Sequence, residues 1–437
     1  MAYDFNEMNH RSRDRDMARQ RRIIIQRQQR ILRWTIFGLI AAVIVLMLVV
    51  LLSRRGKEEA ATPGTPGTTA TTQTTATSTP PPTTSTAPTE PETIIHLVFG
   101  GDVNVTDKLV AAGENSGKLD YTQVLMDVAP ILAGADATFL NLEGGLYGPA
   151  YGSATASAPE ALVQAMAAAG VDMIQLANSR TISNGLTGLS NTIHTLRANG
   201  IQPLGVFASD AEREESQGFT LVNIGGIRVA IVAFTKGMDG MSLPAGSESC
   251  VNLLYTDYAT TYQNVDTKGI TRVLEAAQAQ NPDVTIAMVH WGSEYNDTIS
   301  PTQEQIITLM QGLGVDAIVG THSHFVQQVN YDAAAGTVVA YSLGDLLGDG
   351  EKAGTNYSIL LDLEITRDNI TGQTRITGCD YTGVYLLTPE KDNMPLQLVR
   401  IQPAMEMYEH NHIQKVTESA YENMRYAWQR ILERTKG

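Results

Sequence analysis

The stretch "VDAIVGTHSHFVQ", Val315 to Gln327, runs a short apolar segment into two histidines one residue apart. Small and β-branched apolar residues bounded by glycine read as a buried strand. His322 and His324 stand just past its carboxyl end, among only eight histidines in the whole chain. They are either a packed loop end or half of a metal site. In an extended segment, residues two apart project to the same side, so this pair can converge on one ion or on a pair of ions.

The same pattern recurs along the chain. Candidate strands are "IIHLVFG", "ATFLNL", "VDMIQLA", "IRVAIVAF", "VTIAMVH", "VDAIVG", "TVVAYSL" and "YSILLDLEI". Candidate helices fall at Tyr121–Leu132, Pro159–Ala169, Leu186–Ala198, Gly269–Gln280 and Thr302–Leu313. Alternating strands and helices predict a layered α/β domain. The late strands lack helices between them, so part of a sheet is expected to be antiparallel. "TLVNIGGIRVAIVAF" reads as a hairpin with Gly225 and Gly226 at the turn. No repeat of fixed period is present.

In α/β folds, functional groups gather where strands end and loops begin. Asp102 follows the first strand in "FGGDVNV". Asn141 and Glu143 follow the second in "FLNLEGG". Asn178, Ser179 and Arg180 follow the third in "QLANSR". His290 ends "VTIAMVH" with Glu294 just beyond, and Asp345 ends "VVAYSLGD". A single carboxylate there is usually a helix cap, and a single histidine a satisfied hydrogen-bonder. Six strand ends that mix carboxylate with imidazole are better explained by Mn, Fe or Zn than by Ca or Mg. Two metal ions about 3.5–4 Å apart would activate water and clamp a phosphoryl group. The glycines of "GGD" and "VGTH" would let backbone pass close to the site.

Other templates fit poorly. There is no G-x-S-x-G nucleophile elbow, no P-loop and no dinucleotide fingerprint. A paired-carboxylate glycosidase built on Asp102 and Glu143 stays open, because sequence does not give their separation.

The two ends of the chain differ from this domain. Thr35 to Leu52 is almost wholly apolar and free of charge, long enough to cross a bilayer as a helix. Nine arginines lie between Arg11 and Arg33, which keeps the N-terminus cytoplasmic and sends the rest across. No small-residue cleavage site follows closely, so the expectation is an uncleaved anchor. The Thr, Pro and Ala-rich stretch Glu58 to Glu92 cannot bury enough surface to fold and reads as a stalk. The expected organisation is a basic cytoplasmic tail at 1–33, a transmembrane helix at 34–53 and a disordered linker at 54–92. The layered α/β domain at 93–387 and a C-terminal extension at 388–437 follow. Within the extension, Ile413 to Gly437 reads as an amphipathic helix docked on the domain. His410 and His412, a second His-x-His pair, read as a solvated loop.

Of the chain's 31 basic and 46 acidic residues, 12 and 4 precede residue 58, so the remainder carries 19 and 42, a net of −23. Such acidity disfavours nucleic acid and an anionic membrane surface as partners. Cys250 and Cys379 are the only cysteines. Sequence leaves a disulfide and two free thiols equally open.

"GDVNVT", "NLEG", "LANSR", "HWGSEY", "GTHSHFVQ" and "YSLGD" occur in an order that resembles the poly-gamma-glutamate capsule synthesis (CapA) family. The resemblance covers roughly residues 94–347 and continues more weakly to about 385. It implies a four-layer, metallophosphoesterase-like β-sandwich flanked by helices, with a metal centre at the strand ends. It also implies a role in making or anchoring an anionic envelope polymer, beside other membrane proteins of capsule synthesis. Carried over residue by residue, it gives Asp102, Glu143, His290, His322 and His324 as metal ligands for Mn, Fe or Zn, one ion or two. Asn178, Arg180 and Asp345 occupy the catalytic positions. The chain departs from the family's "NNHxxD" motif with Ser179, Arg180 and Ser183, and from "YSLGN" with Asp345. Arginine cannot act as a proton donor, but it clamps a phosphate or carboxylate well. Pairing of Arg180 with Asp345 is the expected compensation. Two functions follow from the resemblance: a metal-dependent hydrolase acting in the envelope, or a degenerate binding component of a polymer-synthesis complex. The acidic exported part suits a free polyanion poorly, so lipid-linked or wall-linked intermediates stay open.

Overall fold

The computed structural model describes residues 91–410 and 416–436. The basic tail, the apolar span 34–53, the stalk up to residue 90, and His412 lie outside these residues. Among the described residues, no helix is long and apolar enough to cross a membrane.

Two mixed sheets carry the architecture. The strands are β1 (Glu92–Asn104), β2 (Ala137–Glu143), β3 (Met173–Gln175), β4 (Gln202–Leu204), β5 (Phe219–Ile224), β6 (Ile227–Thr235), β7 (Val284–His290), β8 (Ala317–Thr321), β9 (Val329–Asp332), β10 (Thr337–Ala340), β11 (Asp345–Leu347), β12 (Tyr357–Asp368), β13 (Thr374–Leu387) and β14 (Gln397–Arg400). The first sheet has the order β14-β13-β12-β1-β2-β3-β4, and β11 pairs with β1 off this path. The second has the order β9-β10-β8-β7-β6-β5. In the first, β1 to β4 are parallel and β12 to β14 form the antiparallel part. The β5–β6 hairpin turns at Gly225 and Gly226, both with positive φ (59° and 94°), as a two-residue hairpin turn requires.

Strand alternation sorts the apolar residues into three clusters, and these define four layers. Ile95, Leu97 and Phe99 of β1 share the inter-sheet core with Val229, Ile231 and Ala233 of β6. On the outer side of the first sheet, Val98, Leu140, Leu142 and Ile174 pack against helices α1 (Asp107–Ala112), α2 (Glu160–Ala169) and α3 (Gly185–Ala198). On the outer side of the second, Ala230, Val232, Ala287 and Ile318 pack against α4 (Thr267–Gln278) and α5 (Pro301–Gly312). The result is the expected helix–sheet–sheet–helix sandwich.

Local chemistry sets the helix ends. Asp266 caps α4, and Ser300 opens α5 with a capping box to Gln303. The helix expected over Tyr121–Leu132 is instead two short turns, Thr122–Leu125 and Ala129–Leu132. Pro130 has no N–H to continue the ladder, so the second turn starts afresh around it. Helix α6 (Ile401–Glu409) and helix α7 (Glu418–Arg434) follow β14. Ala420, Met424, Ala427 and Ile431 of α7 are buried in the inter-sheet cluster. His410 caps the end of α6 and is exposed. Both cysteines are free thiols.

One irregularity matters for the site. Between Phe99 and Asp102 the pairing of β1 with β2 slips by one residue, a bulge that re-aims the residue after it. A Cβ on Gly101 would overlap the Gly344 carbonyl oxygen, and one on Gly320 would overlap the Tyr341 carbonyl oxygen. Both glycines therefore allow the close backbone approach that "GGD" and "VGTH" suggest. Gly101→Ala should cost about 2–4 kcal/mol of stability by denaturant unfolding. A loss within about 0.5 kcal/mol would mean that the bulge opens freely.

Candidate metal centre

The expected residues converge because the strands that carry them are neighbours. Asp102 pairs in register with Asn141 and with Asp345, Asn104 with Glu143, and Thr321 with His290. Parallel strands bring their carboxyl ends to one edge of the sandwich. There Glu143, His290 and His322 place ligand atoms within 4.8 Å of one another, as do Asp102, Glu143 and His324. Glu143 belongs to both groups. All five side chains are buried.

The hydrogen bonds show which atoms are committed. Asp102 accepts from Asn141 Nδ2 at 2.6 Å and from the His322 backbone N–H at 3.1 Å. Asp102 is fully buried and each of its oxygens accepts one hydrogen bond. Asn178 Nδ2 donates to Asn141 Oδ1 at 3.0 Å and to the Leu142 carbonyl at 2.7 Å. Its Oδ1 accepts from the Arg180 N–H at 2.9 Å. His290 Nδ1 meets Thr321 Oγ1 at 3.0 Å, and its Nε2 lies 3.7 Å from Glu143 Oε1. That Glu143 oxygen is buried and, among the described residues, has no hydrogen-bond partner. A buried carboxylate oxygen left unpaired beside imidazoles fits a cation better than it fits any neighbour present.

Two expectations change. His322 and His324 do not lie in an extended segment: their φ angles are 89° and 61°. The pair is turned by left-handed backbone rather than by strand alternation, a conformation that non-glycine residues adopt at a cost. Arg180 does not pair with Asp345. Its guanidinium meets Asp239 at 3.2 Å, while Asp345 accepts from Asn104 at 2.8 Å and meets His324 Nδ1 at 2.8 Å. Ser179, which stands where the family carries its second Asn, lies 3.1 Å from His290 Nε2 and 3.5 Å from His322 Nδ1.

Lys236, directly after β6, joins the site without having been expected there. Its Nζ donates to the Gly292 carbonyl at 2.7 Å and sits 4.5 Å from the Tyr262 ring centre. The available signal was a polar residue just past a strand, the same signal that marks His290. Arg180, Glu143, His324 and Asp345 share a cavity of about 230 Å³ with Glu294, Tyr295 and Lys352. A second opening is lined by Ser179, His322, Lys236 and Asp239.

Burial shapes the charges. It raises Asp102 and pushes Glu143 well up, the latter reinforced by the charge of Asp102. It raises Asp345 to about 7 against the opposing His324 hydrogen bond. His290 and His322 are held well below the ordinary imidazole range, first by burial and then by nearby positive or imidazole groups. Burial would lower His324 too, but the Asp345 hydrogen bond and three carboxylates outweigh it and raise it to about 10.

Fold and site together define a four-layer α/β domain with a buried imidazole–carboxylate cluster at its strand ends. The chain belongs to the bacterial capsule synthesis protein family PGA_cap, whose model matches residues 96–350. It is 27% identical over 215 residues to the capsule biosynthesis protein CapA of Bacillus anthracis, covering 49% of each. It is 24% identical over 222 residues to the PGA biosynthesis protein CapA of Bacillus subtilis, covering 51% of this chain and 54% of that one. The chain spans about half the length of these curated relatives. A solved calcineurin-like phosphoesterase, YfkN from Bacillus subtilis, aligns with a TM-score of 0.41 at 13% identity, over 77% of this chain and 100% of that one. An overlap that loose bears on neither function nor mechanism.

In chelator-treated protein, ring-nitrogen NMR should find His290 and His322 neutral at about pH 6, below the ordinary imidazole midpoint. His324 should keep its second ring proton until the pH approaches about 10. A His324 that titrates near the ordinary imidazole value, about 6.5, would contradict the Asp345 pairing.

Proposed function

We propose that this chain is a metal-binding member of the capsule-synthesis family that hydrolyses a phosphoester or amide bond in an anionic envelope polymer or its precursor. The observation that carries this reading is the buried, unpartnered Glu143 oxygen in the cluster with His290 and His322. Glu143, His290 and His322 would hold one divalent cation, and Asp102, Glu143 and His324 a second; Mn, Fe and Zn suit the donor set. Such a centre supplies a water of lowered pKa and a polarised phosphoryl or carbonyl oxygen. The chain's own residues do the rest. Asp345 orients His324 through its hydrogen bond. Arg180, on the wall of the same cavity and paired with Asp239, would clamp an anionic group. The names of the relatives, which refer to capsule and PGA biosynthesis, support the envelope polymer as substrate class. In this reading residues 34–53 anchor the chain in the cell membrane, and the domain works outside among other capsule-synthesis membrane proteins.

Two observations favour a second reading, a binding component without catalysis. Ser179 lies within reach of both imidazoles, and Arg180 stands where the family motif has histidine.

Metal analysis of the purified full chain tests the first reading. Stoichiometric Mn, Fe or Zn is expected, with affinity lowered at least about 10–100-fold in Glu143→Gln. A chain that takes up no metal, and shows no phosphodiesterase activity with added Mn, overturns it. For the second reading, Arg180→Ala should weaken binding of an anionic oligomer such as polyglutamate; unchanged binding counts against it.

A further inference from the structure

The two left-handed histidines need something to hold them, and the surroundings of His324 extend to the far end of the described chain. Tyr295 stacks on His324 with ring centres 4.8 Å apart, and Phe325 meets Tyr295 edge-on at 6.2 Å. The Arg434 guanidinium of α7 lies 4.7 Å from the centre of the Phe325 ring. Arg434 donates to Asp297 at 3.1 Å, yet among the described residues its buried Nε and one terminal nitrogen have no hydrogen-bond partner. A guanidinium so placed depends on the ring faces beside it. Asp297 follows β7 and Phe325 follows β8, so one side chain grips both of the loops that begin at the histidines.

Other contacts tie the same parts. The Val329 N–H donates to the Thr435 carbonyl at 3.2 Å. Gln327 Nε2 donates to the Asn296 carbonyl at 2.8 Å, and the Tyr295 N–H donates to the Ser323 carbonyl at 2.8 Å. The buried residues of α7 fix the helix from which Arg434 reaches.

We infer that Arg434 is a positioning residue for the candidate metal centre, acting through Phe325 and Tyr295 on His324. The inference rests on the metal-binding reading of that centre. It is tested on the full chain by hydrogen exchange and by metal affinity together. In Arg434→Ala, amide exchange at 322–325 should rise at least about tenfold while the interior of the second sheet is unchanged, and Mn affinity should fall about tenfold. Arg434→Lys, which keeps a cation over the ring, should recover part of both. Phe325→Leu gives the same test if Arg434→Ala does not fold. Unchanged exchange in the loop overturns the inference, and so does faster exchange with undiminished Mn affinity. Altered exchange in a protein that binds no metal even without the substitution sinks the metal reading and leaves the hold of Arg434 on the loop standing.

Discussion

The Asp102 N–H donates to the Gly344 carbonyl at 3.0 Å, and the chemistry at this edge depends on that approach. Gly101 leaves no Cβ in the way. The bulge that accommodates it turns Asp102 toward the histidine loop, and the same contact seats Asp345 beside His324. Two distant stretches of chain are thereby brought into one electrostatic environment.

That environment is unfavourable to folding by itself. Three carboxyls and three imidazoles are buried together, and burial works against every charge they carry. His324 is held protonated by its carboxylate neighbours, while His290 and His322 are held neutral. A cation bound at such a site would stabilise it more than its own pairs do.

Much of this is legible in the sequence, for a local reason. An apolar run followed by a polar residue marks a strand end, and Asp102, Glu143, His290 and His322 all lie at such ends. The four layers follow from the alternation of β1, β6 and β8. Contact between distant parts has no such signature. Arg180 finds Asp239 rather than Asp345, a partner in the loop after β6 that no spacing in the chain announces. Strand β13 escapes a pattern search because Gly378, Asp380 and Gly383 interrupt its apolar run. The turn at His322 and His324 escapes it because histidine adopts left-handed backbone too seldom for its presence to announce one.

Asp102 and Glu143 belong to the first sheet, while His290 ends one strand of the second and His322 follows another. A cation held between them would act as a rivet through the two layers. Any slip of one sheet over the other would stretch its coordination, so occupancy and resistance to shear would rise and fall together.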